Sequence, residues 1–224
     1  MRRSHAFFGD DTAGSRNPSW ARAERELELG NGGPCNIGWI CSDRICNQGY
    51  GHHLALIREG PDGPGQSYTY DALRCASNAM GHFLRSLGLD EQDRICLFMD
   101  RIPELYFGFL GILKIGAIAQ PLFSAFGPES LAVRLADAQT SAILTQRRHL
   151  GKVRQILGKL PHLQRVIVVD HEAGRPLRDI EVSFSLREYH QVEYLEPART
   201  HRDSPSVLHY TPGTTGQPKG VLHA

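Results

Sequence analysis

The sequence has no excess of charge of either sign, no long apolar run, and no cysteine pair at a metal or redox spacing. Lysine and arginine number 25 against 24 for aspartate and glutamate, so bulk charge recruits neither nucleic acid nor a membrane surface. No stretch approaches the roughly 20 apolar residues of a membrane span. Arg2-Arg3 and Phe7-Phe8 run at once into Gly9-Asp10-Asp11, which leaves no hydrophobic segment for an export signal. Cys35, Cys41, Cys46, Cys75 and Cys96 include no Cys-x-x-Cys pair and are read as free thiols in a reducing cytoplasm. His52-His53 lacks partners at ligand spacing and is read as a solvated loop pair, so no metal site is expected.

What is present is the rhythm of a covered parallel sheet. Residues 1–35 are mostly polar, with glycine and proline scattered through them and a short helix over Trp20–Leu29, and are expected to form an arm. From Asn36 the apolar spacing predicts a short helix capped by Asn36, a strand at Leu54–Ile57 and a turn at Pro61–Gly65. A long helix capped by Thr69 follows, with Leu73, Ala76, Met80, Phe83, Leu84 and Leu87 on one stripe. Strands are predicted at Ile95–Met99, Ile118–Leu122, Ala142–Thr145 and Val166–Val169. Helices opened by Pro103 and Pro128, and one over Arg148–Leu160, alternate with them. The strands are nearly solid apolar runs, so the expected fold class is α/β with parallel βαβ units and helices on both faces. Arg147-Arg148-His149 reads as a solvated helix start and His209 as a buried strand histidine. Phe123 and Phe126 fit either a packed βα loop or a wall beside a ligand crevice.

Ser206–Tyr210 is a strand that delivers the most informative segment, Tyr210-Thr-Pro-Gly-Thr-Thr-Gly-Gln-Pro-Lys-Gly-Val-Leu-His223. Phosphates need closely spaced donors. Gly213 and Gly216 let backbone amides approach an anion, Thr211, Thr214 and Thr215 offer hydroxyls, and Lys219 offers a point charge. The P-loop of NTPases is excluded, because Lys219 follows Gly216 by three residues and an apolar stretch follows instead of a helix.

This segment resembles the phosphate-binding signature of the adenylate-forming superfamily, Tyr/Phe-Thr-Ser-Gly-Ser/Thr-Thr-Gly-x-Pro-Lys-Gly. Asp93–Tyr106, Leu113–Glu129, Thr69–Leu73 and Arg134–Ala138 are similar to AMP-forming acetyl-CoA synthetases and related acyl-CoA synthetases. The resemblance implies that residues 36–224 are an incomplete N-terminal domain of such an enzyme. It implies an acetate or short-chain acyl–CoA ligase using ATP, Mg2+ and CoA, which adenylates a small carboxylate and passes the acyl group to the thiol. Thr211, Gly213, Thr214, Thr215, Gly216 and Lys219 would then grip the β- and γ-phosphates, with no catalytic residue assigned.

Two departures qualify that reading. Pro212 replaces the signature serine, removing a hydroxyl and an N–H and favouring extended geometry at Thr211. The family's acceptor pocket, adenine and ribose contacts, magnesium ligand and C-terminal lysine would all follow the loop, so the chain alone is expected to be inactive. Val221-Leu222 would form an exposed edge, with low stability or solubility the expected consequence. A non-catalytic phosphate- or partner-binding module, or part of a longer-chain acyl or amino-acid adenylating enzyme, are the alternatives.

Overall fold

Successive strand side chains point to opposite faces of a sheet, and here each face has its own core. The computed structural model describes residues 19–27, 35–60, 63–172, 174–186, 194–211 and 216–224. In β3 (Arg94–Phe98), Ile95 and Leu97 enter one core, while Cys96 and Phe98 enter the other. The same alternation holds in β5 (Ala142–Thr145) and β6 (Arg165–Val168). The first core is closed by Met80, Phe83 and Leu84 of α4 (Tyr70–Ser86) and by Ile112 and Leu113 of α5 (Pro103–Lys114). The second is closed by Leu131 and Leu135 of α6 (Pro128–Asp137) and by Leu150 and Val153 of α7 (Leu150–Arg154).

With β4 (Ile118–Pro121), β7 (Glu181–Ser183), β8 (Val207–Thr211) and β9 (Lys219–His223), the sheet has seven strands in the order β7-β6-β5-β3-β4-β8-β9. Every neighbouring pair is parallel except β8 with β9. The α/β class and the parallel core thus match the expectation. The antiparallel last strand was not anticipated; only seven residues separate β8 from β9, too few for the crossover that a parallel pair needs. The expected edge is there, since β9 is the outermost strand and Val221 and Leu222 are exposed.

Two further elements differ from expectation. The helix predicted over Arg148–Leu160 breaks into a 3-10 turn (Arg147–His149), α7 and a second 3-10 turn (Leu157–Lys159). Gly151 and Gly158 weaken the helix along that segment. The turn predicted at Pro61–Gly65 is shorter, because Gly63–Thr69 forms β2, antiparallel to β1 (Leu54–Gly60) in a separate two-stranded sheet. Pro64 is tolerated there because a two-stranded ribbon has only edges.

The amino-terminal segment docks by polar contacts. Within the expected arm, α1 (Trp20–Glu26) forms, and Cys35 exchanges hydrogen bonds with Thr200 at 2.8 and 3.0 Å. Asn36 caps α2 (Ile37–Ile40) through Trp39 N–H. Its Nδ2 donates to the carbonyls of Leu113, Lys114 and Ala198 at 3.0–3.2 Å. Two of these carbonyls close α5, where Leu113 also accepts from Gly116 N–H at 3.0 Å and Lys114 from Ala198 N–H at 2.8 Å. Next comes α3 (Asp43–Ile45), and a π turn (Cys46–Tyr50) leads to β1.

Candidate phosphate-binding site

The Thr/Gly segment connects β8 to β9. The register pairs Thr211 with Lys219 and Tyr210 with Gly220, so residues 212–218 form the loop. Thr211 and Lys219 face each other across its mouth, and both are exposed. Among the described residues no acid pairs with Lys219, which leaves its ammonium available to an anion. Gly216 has φ 84, a left-handed conformation that glycine adopts without a Cβ penalty. Pro212, Gly213, Thr214 and Thr215 lie outside the described residues. Thr211 ends β8 in extended geometry, as a residue before proline should.

The loop emerges at the carboxyl pole of the parallel strands, where ligand crevices form in open α/β sheets. The loop that follows β4 contributes Phe123 and Phe126, whose rings meet edge-on at 6.0 Å. Phe126 packs on the second core and under the Arg134 guanidinium at 4.3 Å, whereas Phe123 is 66% exposed. One ring is therefore structural, and the other stands free at the loop's pole.

Tyr210 donates from its hydroxyl to Asp137 Oδ2 at 2.6 Å. Burial, followed by this bond, raises the phenol well above its ordinary pKa. His209 does not fit its expected place. It is exposed, and its ring meets His223 edge-on at 5.5 Å. The reason is its position near the sheet edge, where among the described residues no helix covers its face.

A second polar cluster joins the ends of β3 and β5. Asp100 N–H donates to Gln146 Oε1 at 2.9 Å. Its carboxylate meets His149 Nε2 at 3.1 Å and Arg148 at 2.9 Å. Burial alone would raise the Asp100 pKa. Hydrogen bonds from Ser124 and His149, with the nearby positive charge, outweigh that and hold it below the ordinary range. Arg147-Arg148-His149 is accordingly not a plain solvated face: His149 is buried against Phe98, and both arginines pair with acids.

Among the described residues no group of three His, Cys, Asp or Glu could hold a metal ion, and the five cysteines are unpaired. His52 and His53 are exposed, with their rings 4.5 Å apart. A cavity of about 350 Å³ lies at the opposite pole, beside Leu113, Gly116 and residues 200–206; it does not include the Thr/Gly loop.

Residues 44–224 match the family described as AMP-binding enzyme. The chain belongs to the AMP-binding enzyme family. The acetyl-coenzyme A synthetase of Bacillus subtilis is 35% identical over 209 residues, covering 93% of this chain and 36% of that protein. The 3-hydroxypropionyl-coenzyme A synthetase of Sulfurisphaera tokodaii is 29% identical, covering 86% and 31%. The crystal structure of Brucella canis acyl-CoA synthetase superposes with a TM-score of 0.78 at 26% identity, covering 92% of this chain and 36% of that one. The chain thus spans about a third of the length of the relatives it matches. Its parallel sheet corresponds to the N-terminal domain of these AMP-binding enzymes. No described helix is long and apolar enough to cross a membrane.

The polar contacts that sequence reasoning missed are long-range ones: Tyr210 with Asp137, Asp100 with His149, and a buried ion pair between Lys114 and Asp43. The partners stand 73, 49 and 71 positions apart. No local spacing rule connects residues so separated.

Proposed function

We propose that this chain supplies the nucleotide-phosphate grip of an acyl–CoA ligase, with acetate or another short-chain acid as the carboxylate. The observation that carries the reading is the base of the β8–β9 loop at the carboxyl pole, where Thr211 stands opposite Lys219 and no acid among the described residues pairs with that lysine. A triphosphate tail fits that donor set. Lys219 neutralises charge, Thr211, Thr214 and Thr215 donate hydroxyls, and Gly213 and Gly216 allow close backbone approach. Mg2+ bound with the nucleotide would neutralise further phosphate charge. Holding the β- and γ-phosphates orients the α-phosphate for attack by a carboxylate, so the loop's contribution is positioning and electrostatic stabilisation. The resulting acyl-adenylate would pass its acyl group to CoA. Acetyl and 3-hydroxypropionyl in the names of two relatives support a short acid.

In this reading the loop holds phosphates only, so no turnover is expected of it by itself. Titration calorimetry with Mg·ATP and with tripolyphosphate tests the grip. Lys219→Met should weaken both ligands about tenfold or more, the scale of one lost charge-assisted contact. Equal affinity in the variant, or no binding by the unaltered protein, would refute it. Pyrophosphate–ATP exchange in the presence of acetate should give no turnover; measurable exchange by these 224 residues would overturn the inactivity.

A further inference from the structure

The hairpin is tethered to the sheet at the wrong end for its task. β4 and β8 share one register pair, Ala119 with Val207, backed by a hydrogen bond from Ala119 N–H to the Ser206 carbonyl. Pro121 ends β4 and has no N–H to extend the ladder. His209, Tyr210 and Thr211 therefore continue past the last rung, towards the loop, with no further ladder bond to β4. Something else must fix the mouth.

We propose that Asp137, Tyr210 and Gly220 form a latch that positions the mouth of the phosphate loop against α6. Tyr210 and Gly220 are cross-strand partners on the rung next to Thr211 and Lys219. A Cβ on Gly220 would lie 3.2 Å from Leu208 Cδ1, 3.3 Å from Tyr210 Cζ and 3.4 Å from its hydroxyl oxygen. The ring thus lies across the glycine backbone, and from there the hydroxyl reaches Asp137 at 2.6 Å, the length of a charge-assisted bond.

Asp137 is the last residue of α6, where the helix dipole disfavours a carboxylate. Among the described residues no basic side chain pairs with it, and the Tyr210 hydroxyl offsets the cost. Arg134, one turn earlier, is engaged by the Phe126 ring and the Ser130 carbonyl. Leu131 and Leu135 bury α6 in the second core, so the latch ties a sparsely paired strand end to a firmly packed helix. Tyr210 and Asp137 are positioning residues that touch no phosphate themselves, and their role in binding rests on the phosphate-grip reading above.

The test measures amide hydrogen exchange over residues 207–223 and tripolyphosphate affinity in the unaltered protein and in Tyr210→Phe, Asp137→Asn and Gly220→Ala. Tyr210→Phe should speed exchange around Thr211 and Lys219 several-fold, leave β3 and β5 unchanged, and weaken tripolyphosphate about tenfold. Asp137→Asn, which keeps an acceptor without its charge, should fall between. Gly220→Ala should resemble Tyr210→Phe. Unchanged exchange in Tyr210→Phe and Asp137→Asn overturns the latch. Faster exchange with unchanged affinity overturns its role in binding. If the unaltered protein fails to bind tripolyphosphate, the phosphate grip is what fails, and the exchange result alone decides the latch.

Discussion

Replacing Lys114 by methionine should be among the most damaging single changes in this protein, and the cost can be bounded from the structure. The ammonium meets Asp43 Oδ2 and Asn78 Oδ1 at 2.5 Å each and Ser77 Oγ at 2.9 Å, which uses all three of its protons. The side chains of Lys114 and Asp43 are 1% and 7% exposed. Burial lowers the Lys114 pKa and the Asp43 charge pulls it back, so the pair stands or falls together. Methionine can replace the aliphatic stem, but among the described residues it leaves Asp43 hydrogen bonds from Ser42 Oγ at 2.9 Å and Asn78 Nδ2 at 3.5 Å, with the Arg74 charge nearby. Breaking a buried pair from one side costs about 3–5 kcal/mol. The expected loss at pH 7 is therefore about 3–5 kcal/mol, read from urea unfolding. Lys114→Met with Asp43→Asn should recover to within about 1 kcal/mol, since no buried charge remains. A deficit below about 1 kcal/mol at pH 7, or a double variant no more stable than Lys114→Met alone, would refute the electrostatic account.

Asn36→Ala removes a buried amide that serves three carbonyls and a helix cap, and should cost about 1–3 kcal/mol, seen as a fall in Tm. Glu181 is bound by Arg154 through two 2.7 Å contacts and by Arg178 N–H, and its pKa is lowered chiefly by the Arg154 bonds. A lowered folded pKa means that its contribution is complete above the unfolded value of about 4.3 and is lost as pH falls through the folded one. Glu181→Gln should flatten that part of an acid-unfolding curve followed by circular dichroism. Pro212→Ser restores an N–H and a hydroxyl beside Thr211 and should tighten Mg·ATP in calorimetry; unchanged affinity would show that neither donor reaches a phosphate.

The elements most legible in the sequence were those set by neighbours along the chain. Asn36 and Thr69 as caps, Pro103 and Pro128 at helix starts, and the solid apolar strands all rest on spacings of a few residues. Thr211 and Lys219 are hairpin partners only eight positions apart, yet the antiparallel pairing of β9 with β8 was not anticipated, because it depends on how the intervening segment turns. His149 misled because a run of basic residues at a helix start is normally solvated; only the fold brings Asp100 beneath it. His209 misled because its strand lies beside the sheet edge, a property of strand order and not of the strand itself. The Lys114 network and the Tyr210 latch had no local signature, because their partners arrive from other elements.

The contrast between the sheet's centre and its edge bears on how the site would work. β3 pairs with both neighbours along four rungs each, and its side chains are sealed between two helical layers. The hairpin that carries the loop has one rung to the sheet and an exposed outer strand. A donor set on such a hairpin gains little from the number of its hydroxyls if each must be ordered when the ligand arrives, because ordering cost offsets contact energy. What converts Thr211 and Lys219 into a grip is prior restraint of the mouth, and the only described side-chain hydrogen bond that reaches the loop end of β8 from the packed part of the molecule is Tyr210 to Asp137. Affinity for a polyphosphate should therefore respond to a change in α6, which touches no phosphate, almost as strongly as to a change in the loop itself.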